Sequence, residues 1–174
     1  TRLPNKNKRR ILGIPLFLWA ANNLSRVIEK NNIYVDSEDP EILNISSRLG
    51  FNTLHRPANL SNNSVDGNRL LEWEASNVTA DVYIQHLPPM IFCKKETILK
   101  GLEKVISGNE DSVVYLYGEK KYKWKNGQPE YDIKNIPNSF ELRKEYSECM
   151  GLYIAAADQF NLTKKRISGK FSTL

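Results

Sequence analysis

Lys6 and Asn7 stand in the run Thr1-Arg2-Leu3-Pro4-Asn5-Lys6-Asn7, a basic, turn-rich stretch followed by Gly13-Ile14-Pro15-Leu16. Lysine brings a compact positive charge to a phosphate, and a following helix start adds free N–H groups. Asparagine offers one acceptor and two donors to the edge of a base. Together these residue types suit a nucleotide loop, whereas in a solvated loop they would do nothing in particular. Arg56 is a second candidate, either beside a nucleotide or in an ion pair with Glu41 or Asp66. Gln85 ends the most strand-like segment of the chain, Ala80 to His86, where a ligand would lie. His86 next to it has the chemistry of a general base, but a lone histidine at a strand end is more often structural. Asp36, Glu38 and Asp39 form an acidic cluster. Metal binding competes there with a simpler role, because Asp39-Pro40 is a sufficient helix start.

The elements that would position these groups alternate. Pro15 to Lys30 has Leu16, Ala20, Leu24 and Val27 on one helical face. Ile33 to Val35 and Phe51 to Leu54 read as short strands flanking a helix from Asp39 to Gly50. Further helices are expected over 69–76, 95–106 and 139–145, and further strands over 112–117 and 151–155. Asn126-Gly127 is a strong hairpin turn signal between apolar stretches. Alternation at this spacing predicts right-handed βαβ units in one domain over 1–174, with a hairpin excursion over 118–146. The fold expected is α/β, a Rossmann-like three-layer αβα arrangement with a mostly parallel sheet. Ligands of such sheets bind outside the carboxyl ends of the strands. That puts the loops after Val35, Leu54 and Ile84 at the site, beside the opening loop.

Bulk composition narrows the class. The 174 residues are 40% hydrophobic and 26% charged, with a formal charge of +5, as in an ordinary globular domain. The positive excess is spread out. It suits an anionic nucleotide better than nucleic acid, and no apolar run reaches membrane-span length. Cys93 and Cys149 are too few for a disulfide scaffold and have no zinc-like spacing, so reduced thiols and a cytoplasmic location are expected. Asn44-Ile45-Ser46 and Asn77-Val78-Thr79 match the glycosylation triplet by chance in an Asn-rich chain.

These segments resemble, in order, the cytidylyltransferases that activate acidic sugars, the CMP-N-acylneuraminate (CMP-sialic acid) synthetase family. Arg2-Leu3-Pro4-Asn5-Lys6-Asn7 with Gly13-Ile14-Pro15-Leu16 is similar to that family's first motif. Val35-Asp36-Ser37-Glu38-Asp39-Pro40-Glu41-Ile42 is a looser match to its Val-Ser-Thr-Asp-Asp motif. Arg56-Pro57-Ala58-Asn59-Leu60 and Tyr146-Ser147-Glu148-Cys149-Met150-Gly151-Leu152-Tyr153-Ile154 follow two more. The resemblance implies CTP binding, attack of a sugar hydroxyl on the α-phosphorus and release of pyrophosphate, with Mg²⁺ on the phosphates. It also implies nucleotide contacts at Arg2, Lys6, Asn7, Arg56 and Ser61, with Lys6 at the triphosphate and Asn7 at the cytosine. Gln85 and Tyr153 would face the sugar, and the hairpin near Asn126 would be the arm of a homodimer. No catalytic residue is assigned. The metal ligands and the first part of the phosphate loop are expected outside the sequence, after Leu174 and before Thr1.

The departures fall on the sugar side. The family's Gln-Pro-Thr-Ser-Pro-Leu-Arg run is Gln85-His86-Leu87-Pro88-Pro89-Met90-Ile91 here, without the hydroxyls or the arginine. Positions where sialic-acid enzymes place carboxylate-holding arginines align with Ser139 and Ser147, and a Gln-Asp pair reads Phe140-Glu141. Three functions follow: an acidic-sugar cytidylyltransferase, an enzyme for a less charged sugar or alcohol, and a non-catalytic nucleotide-binding homologue.

Overall fold

The computed structural model describes residues 3–174. Two short strands, β1 (Arg10–Ile11) and β2 (Ile14–Pro15), pair as a tight hairpin after a 3-10 turn over Lys6–Lys8. Leu12 and Gly13 take positive φ at its tip. Pro15, extended at φ −55° and ψ 142°, then caps α1 (Leu16–Leu24), whose apolar face is buried throughout. β3 (Tyr34–Ser37) and β4 (Asn52–His55) form a parallel pair joined by α2 (Pro40–Arg48). Asp39 caps α2 by accepting the Glu41 amide at 2.9 Å, and Gly50 (φ +83°) turns the chain after it. That is the helix-start role expected of Asp39.

α3 (Gly67–Asn77) is capped by Asp66, whose carboxylate accepts the amides of Asn68 and Arg69. It leads to β5 (Val82–His86), α4 (Lys95–Ile106) and β6 (Ser112–Glu119). A minimal hairpin of β7 (Trp124–Lys125) and β8 (Gln128–Pro129) turns on Asn126 and Gly127, both at positive φ. The long strand β9 (Glu145–Ala156) returns through the sheet, followed by α5 (Ala157–Thr163) and β10 (Phe171–Thr173). Residues 139–144 form turns rather than the expected helix. Asn138 caps one turn by accepting the Phe140 amide, and Phe140 itself is exposed, so no apolar face exists to hold a helix there.

The central sheet has the order β10-β6-β9-β5. It is mixed, which corrects the expectation of a mostly parallel sheet. β10 runs parallel to β6, but β9 is antiparallel to both β6 and β5. The reason is that the 118–146 excursion reverses the chain between β6 and β9, as a hairpin connection does and a helical crossover does not. A register shift in β9 puts Val114 opposite Tyr153 but Leu116 opposite Glu148. Met150, at φ 51°, lies inside this bulge.

Helices cover both faces. On one side Phe17, Leu18, Ile98, Val105, Val113 and Ile154 form the main core between α1, α4 and the sheet. On the other, Leu71, Ala155 and Phe160 pack with Tyr83, whose ring meets Phe160 edge-on at 5.9 Å. The two faces follow from alternation along β5 and β9. Ile84 and Ile154 turn to the first core, Tyr83 and Ala155 to the second. No helix among the described residues is long and apolar enough to cross a membrane.

Candidate functional site

A cavity of about 880 Å³ runs between β3 and β5. Among the described residues β3 pairs only with β4, and β5 only with β9, so each strand has one edge without a partner there. Phe17, Leu24, Ile33, Val82 and Val105 line its apolar depth. The polar end is built where β3, β4 and β5 finish, from Asn7, Ser37, Arg56, Gln85 and His86. Loops that sequence spacing assigns to one sheet edge therefore meet at one opening.

Arg56 follows β4 directly, and its amide extends the ladder by donating to the Ser37 carbonyl at 3.0 Å. Its side chain turns back to Asp36, not to Glu41 or Asp66. Nε and Nη2 donate to Asp36 Oδ2 at 2.7 and 2.5 Å, and Nη1 lies 3.7 Å from Glu38. Glu41 instead pairs with Lys8, and Asp66 is occupied by its helix cap. Two neighbouring lysines thus differ. Lys8 is neutralised by Asp39 and Glu41, both at 2.9 Å, whereas Lys6 has no ion pair among the described residues.

Behind Arg56 lies a buried polar network that sequence reading missed. Gln85 is 6% exposed and tied at both ends. Its amide donates to Glu74 Oε2 at 3.1 Å, and its carbonyl oxygen accepts from Arg166 Nη1 at 2.9 Å. Burial, followed by the charge of Asp36, pushes the Glu74 carboxyl up to about 7. Burial also raises Asp36 against the opposing pull of Arg56. The two carboxyls titrate as a pair, and together they retain a proton toward neutral pH. Glu74 had a visible signal, an acid one helical turn from the core residue Leu71 on an otherwise apolar face. Arg166, in the irregular segment after α5, had none.

Tyr153 is buried under the Arg166 guanidinium, whose carbon lies 3.7 Å from the ring centroid. Its hydroxyl donates to Glu148. Burial and that hydrogen bond push the phenol up to about 12. His86 has Nδ1 3.2 Å from the Leu87 carbonyl, while its buried Nε2 has no partner. Desolvation lowers its pKa, so the ring is neutral near pH 7 with Nδ1 the donor and Nε2 the acceptor. Asn7 also carries a buried side-chain oxygen without a partner. Ser61 lies elsewhere, donating to the Pro57 carbonyl at 3.2 Å outside the cavity wall. Arg2 lies outside the described residues.

The described residues hold no group of three or more His, Cys, Asp or Glu side chains fit for a metal ion. Asp36 and Glu74 do not fit Mg²⁺ as they stand. Asp36 is clasped by Arg56, and Glu74 is taken by the Gln85 amide. Cys93 and Cys149 are both free; Cys93 sits in the loop before α4 and Cys149 in β9.

A mixed sheet covered on both faces, with a polar opening at its strand ends, defines an α/β domain with a ligand-sized opening where such folds bind. The cytidylyltransferase family model matches residues 1–137, and the chain belongs to that family. It is therefore of the nucleotidyltransferase class of enzymes. Its fold is similar to that of CMP:2-keto-3-deoxy-manno-octonic acid synthetase complexed with CTP (TM-score 0.65, 14% identity, covering 99% of this chain and 84% of that one). A 4-diphosphocytidyl-2C-methyl-D-erythritol synthase from Anaerococcus prevotii is also similar (TM-score 0.58, 11% identity, 95% and 78% covered). So is the bifunctional IspDF of Campylobacter jejuni (TM-score 0.63, 11% identity, 100% and 45% covered). No curated protein sequence matches the chain.

Proposed function

We propose that the protein transfers CMP from CTP to a hydroxyl of a sugar acid, of the keto-deoxy or sialic type. The observation that carries this reading is the shared opening, where Asn7 and Arg56 meet Gln85 at the carboxyl ends of β3, β4 and β5. Asn7, with its unpartnered buried oxygen, is the base-reading group, and Lys6, unpaired, is the phosphate-facing charge. Gln85 and Tyr153 form the acceptor side.

In the reaction, the acceptor oxygen forms a bond to the α-phosphorus as the bond to the β-phosphate bridging oxygen breaks. Pyrophosphate leaves, and the hydroxyl proton passes to a base or to solvent. The chain's contribution is to orient the two substrates and offset charge. When bound, Mg²⁺ would offset phosphate charge further, from ligands other than the described carboxylates. A homodimer belongs to the same reading. Its support is the exposed β7–β8 arm, where Trp124 is 61% exposed and meets Tyr131 edge-on. Sedimentation showing only monomer at micromolar concentration removes the dimer.

The deciding experiment gives the protein CTP, Mg²⁺ and a panel of acidic and neutral sugars, and follows pyrophosphate. Release with sugar acids supports the proposal, and release with neutral sugars alone refutes the acidic acceptor. CTP binding without release from any sugar identifies a non-catalytic homologue.

A further inference from the structure

The cavity between β3 and β5 is shaped for one more strand. Both strands face it with the edge that has no partner among the described residues. They run along it in the same direction. Ile33, just before β3, and Val82, at the start of β5, line its apolar depth. Ser37 and His86, the last residues of the two strands, line its polar end. Glu74 of α3 spans both strands there, since it takes the Gln85 amide at 3.1 Å and its carboxyl meets that of Asp36. One side chain in touch with both strands holds their separation.

Helices cover this slot on both faces. Phe17, Leu24 and Val105 of α1 and α4 wall one side, and Leu71 of α3 walls the other. Native interiors are close-packed, and cost rises with the volume of an apolar cavity. At about 880 Å³ that cost outweighs the whole stability of an ordinary domain. Each facing edge also presents a row of backbone N–H and C=O groups that need partners. A small apolar molecule would cover the walls but could not pair with two rows at once. A strand does both. With helices on either face it must be apolar on both sides, and with an edge on either flank it tolerates no central proline.

The path of the chain says where that strand comes from. Asn7 lines the polar end of the slot, and from there the chain passes through the β1–β2 hairpin into α1 and on to β3. A strand that finishes at Asn7 and is followed by α1 and β3 makes a βαβ unit. Its helix, α1, already lies over the slot, as the crossover between parallel strands must. We propose that the slot receives an extended apolar segment of this same polypeptide, joined ahead of Thr1 and lying parallel to β3 and β5. It merges the β3–β4 pair and the four-stranded sheet into one. About six residues suffice, at about 3.3 Å each, beside the four of β3 and the five of β5. Nothing in this depends on which sugar is the acceptor.

The test compares the chain as it stands with two forms extended ahead of Thr1. One carries the probe segment Val-Ile-Ala-Ile-Val-Ala on a short Gly/Ser link. The other carries the same segment with proline at every second residue, which removes N–H donors. The six-residue probe is also added as a free peptide to the unextended chain. Hydrogen exchange of the β3 and β5 amides, binding of an apolar fluorescent dye, thermal melting and sedimentation are measured. The joined apolar segment is expected to slow exchange of the amides on the two facing edges by about 10-fold, the scale of a net backbone hydrogen bond. It is also expected to abolish dye binding and raise the melting temperature, while the proline form does none of these. Where the unextended chain lacks a cooperative melt, exchange and dye binding carry the comparison. Exchange left unchanged by the apolar segment, or slowed equally by the proline form, overturns the proposal. So does an unextended chain that already protects these amides, with a dimer in sedimentation assigning the slot to a second copy and a monomer showing that it is closed. Equal protection by the free peptide at micromolar concentration assigns it to a separate partner, and the same-chain proposal falls.

Discussion

Arg56 grips Asp36 through a single carboxylate oxygen: Nε at 2.7 Å and Nη2 at 2.5 Å both donate to Oδ2, while the Asp36 carboxyl also meets that of Glu74. The Asp36 side chain is only 8% exposed, so its charge depends on that arginine. A nucleotide contact by Arg56 and this internal pairing are compatible, since Nη1 is held only by the more distant Glu38 at 3.7 Å.

Removing the arginine strands the acid. Arg56→Met is expected to lower stability by about 3 kcal/mol, the scale for a buried pair broken on one side. Adding Asp36→Asn is expected to recover much of the loss, because the buried charge is then gone as well. Urea denaturation of the two single variants and the double variant measures this coupling. Strictly additive losses would show that the pair contributes nothing.

Glu74 makes stability depend on pH in an unusual direction. Its carboxyl is raised to about 7, above its ordinary value of 4.5. In that window the folded chain holds a proton that the unfolded chain has released. The stabilisation is complete below about 4.5 and is lost as pH rises through about 7. Glu74→Gln mimics the protonated form and keeps the hydrogen-bonding shape. It is expected to flatten the stability profile between pH 5 and 8 and to be the more stable protein at pH 8, by on the order of 1–3 kcal/mol. Melting curves at matched ionic strength test this, and parallel profiles for the two proteins contradict it.

Lys6 and Lys8 differ in their partners, so they should differ in CTP binding. Lys6→Ala is expected to weaken it by about 1–3 kcal/mol, as for a lost charged hydrogen bond. Lys8→Ala is expected to leave it nearly unchanged, because Asp39 and Glu41 already neutralise that lysine. Calorimetry with both variants decides. A larger loss at Lys8 would reverse the assignment of the opening loop.

Gly101 shows how tightly the first core is closed. A Cβ there would meet Tyr115 Oη at 1.9 Å, and that buried hydroxyl donates to the Thr97 carbonyl at 3.0 Å. Alanine normally favours a helix, yet here Gly101→Ala should cost about 1–3 kcal/mol by overpacking. Tyr115→Phe removes the colliding oxygen, so the double variant should lose less than the sum of the two single losses. Additive losses in thermal melts would mean that α4 shifts freely.

By itself the sequence determined the local devices, because each depends on near neighbours. Asp39-Pro40 starts a helix, Gly50 and Asn126-Gly127 turn the chain, and the apolar periods of α4, β5 and β6 set their buried faces. The motif order also carried the family, and the strand-end rule brought the loops of Asn7, Arg56 and Gln85 to one opening. Tertiary structure decided what depends on distant contacts. Strand direction was one such matter, since a reversing excursion and a bulge in β9 made the sheet mixed. Partner choice was another. Arg56 had several acids within reach of its sequence neighbourhood, and only the β3–β4 register set it on Asp36. Arg166 lies 81 residues from Gln85 and 13 from Tyr153, in a segment without periodicity, so no local pattern could mark it. Its place beside both comes from β5 and β9 pairing Gln85 with Tyr153 and from a glycine at the start of α3 that leaves room for the guanidinium.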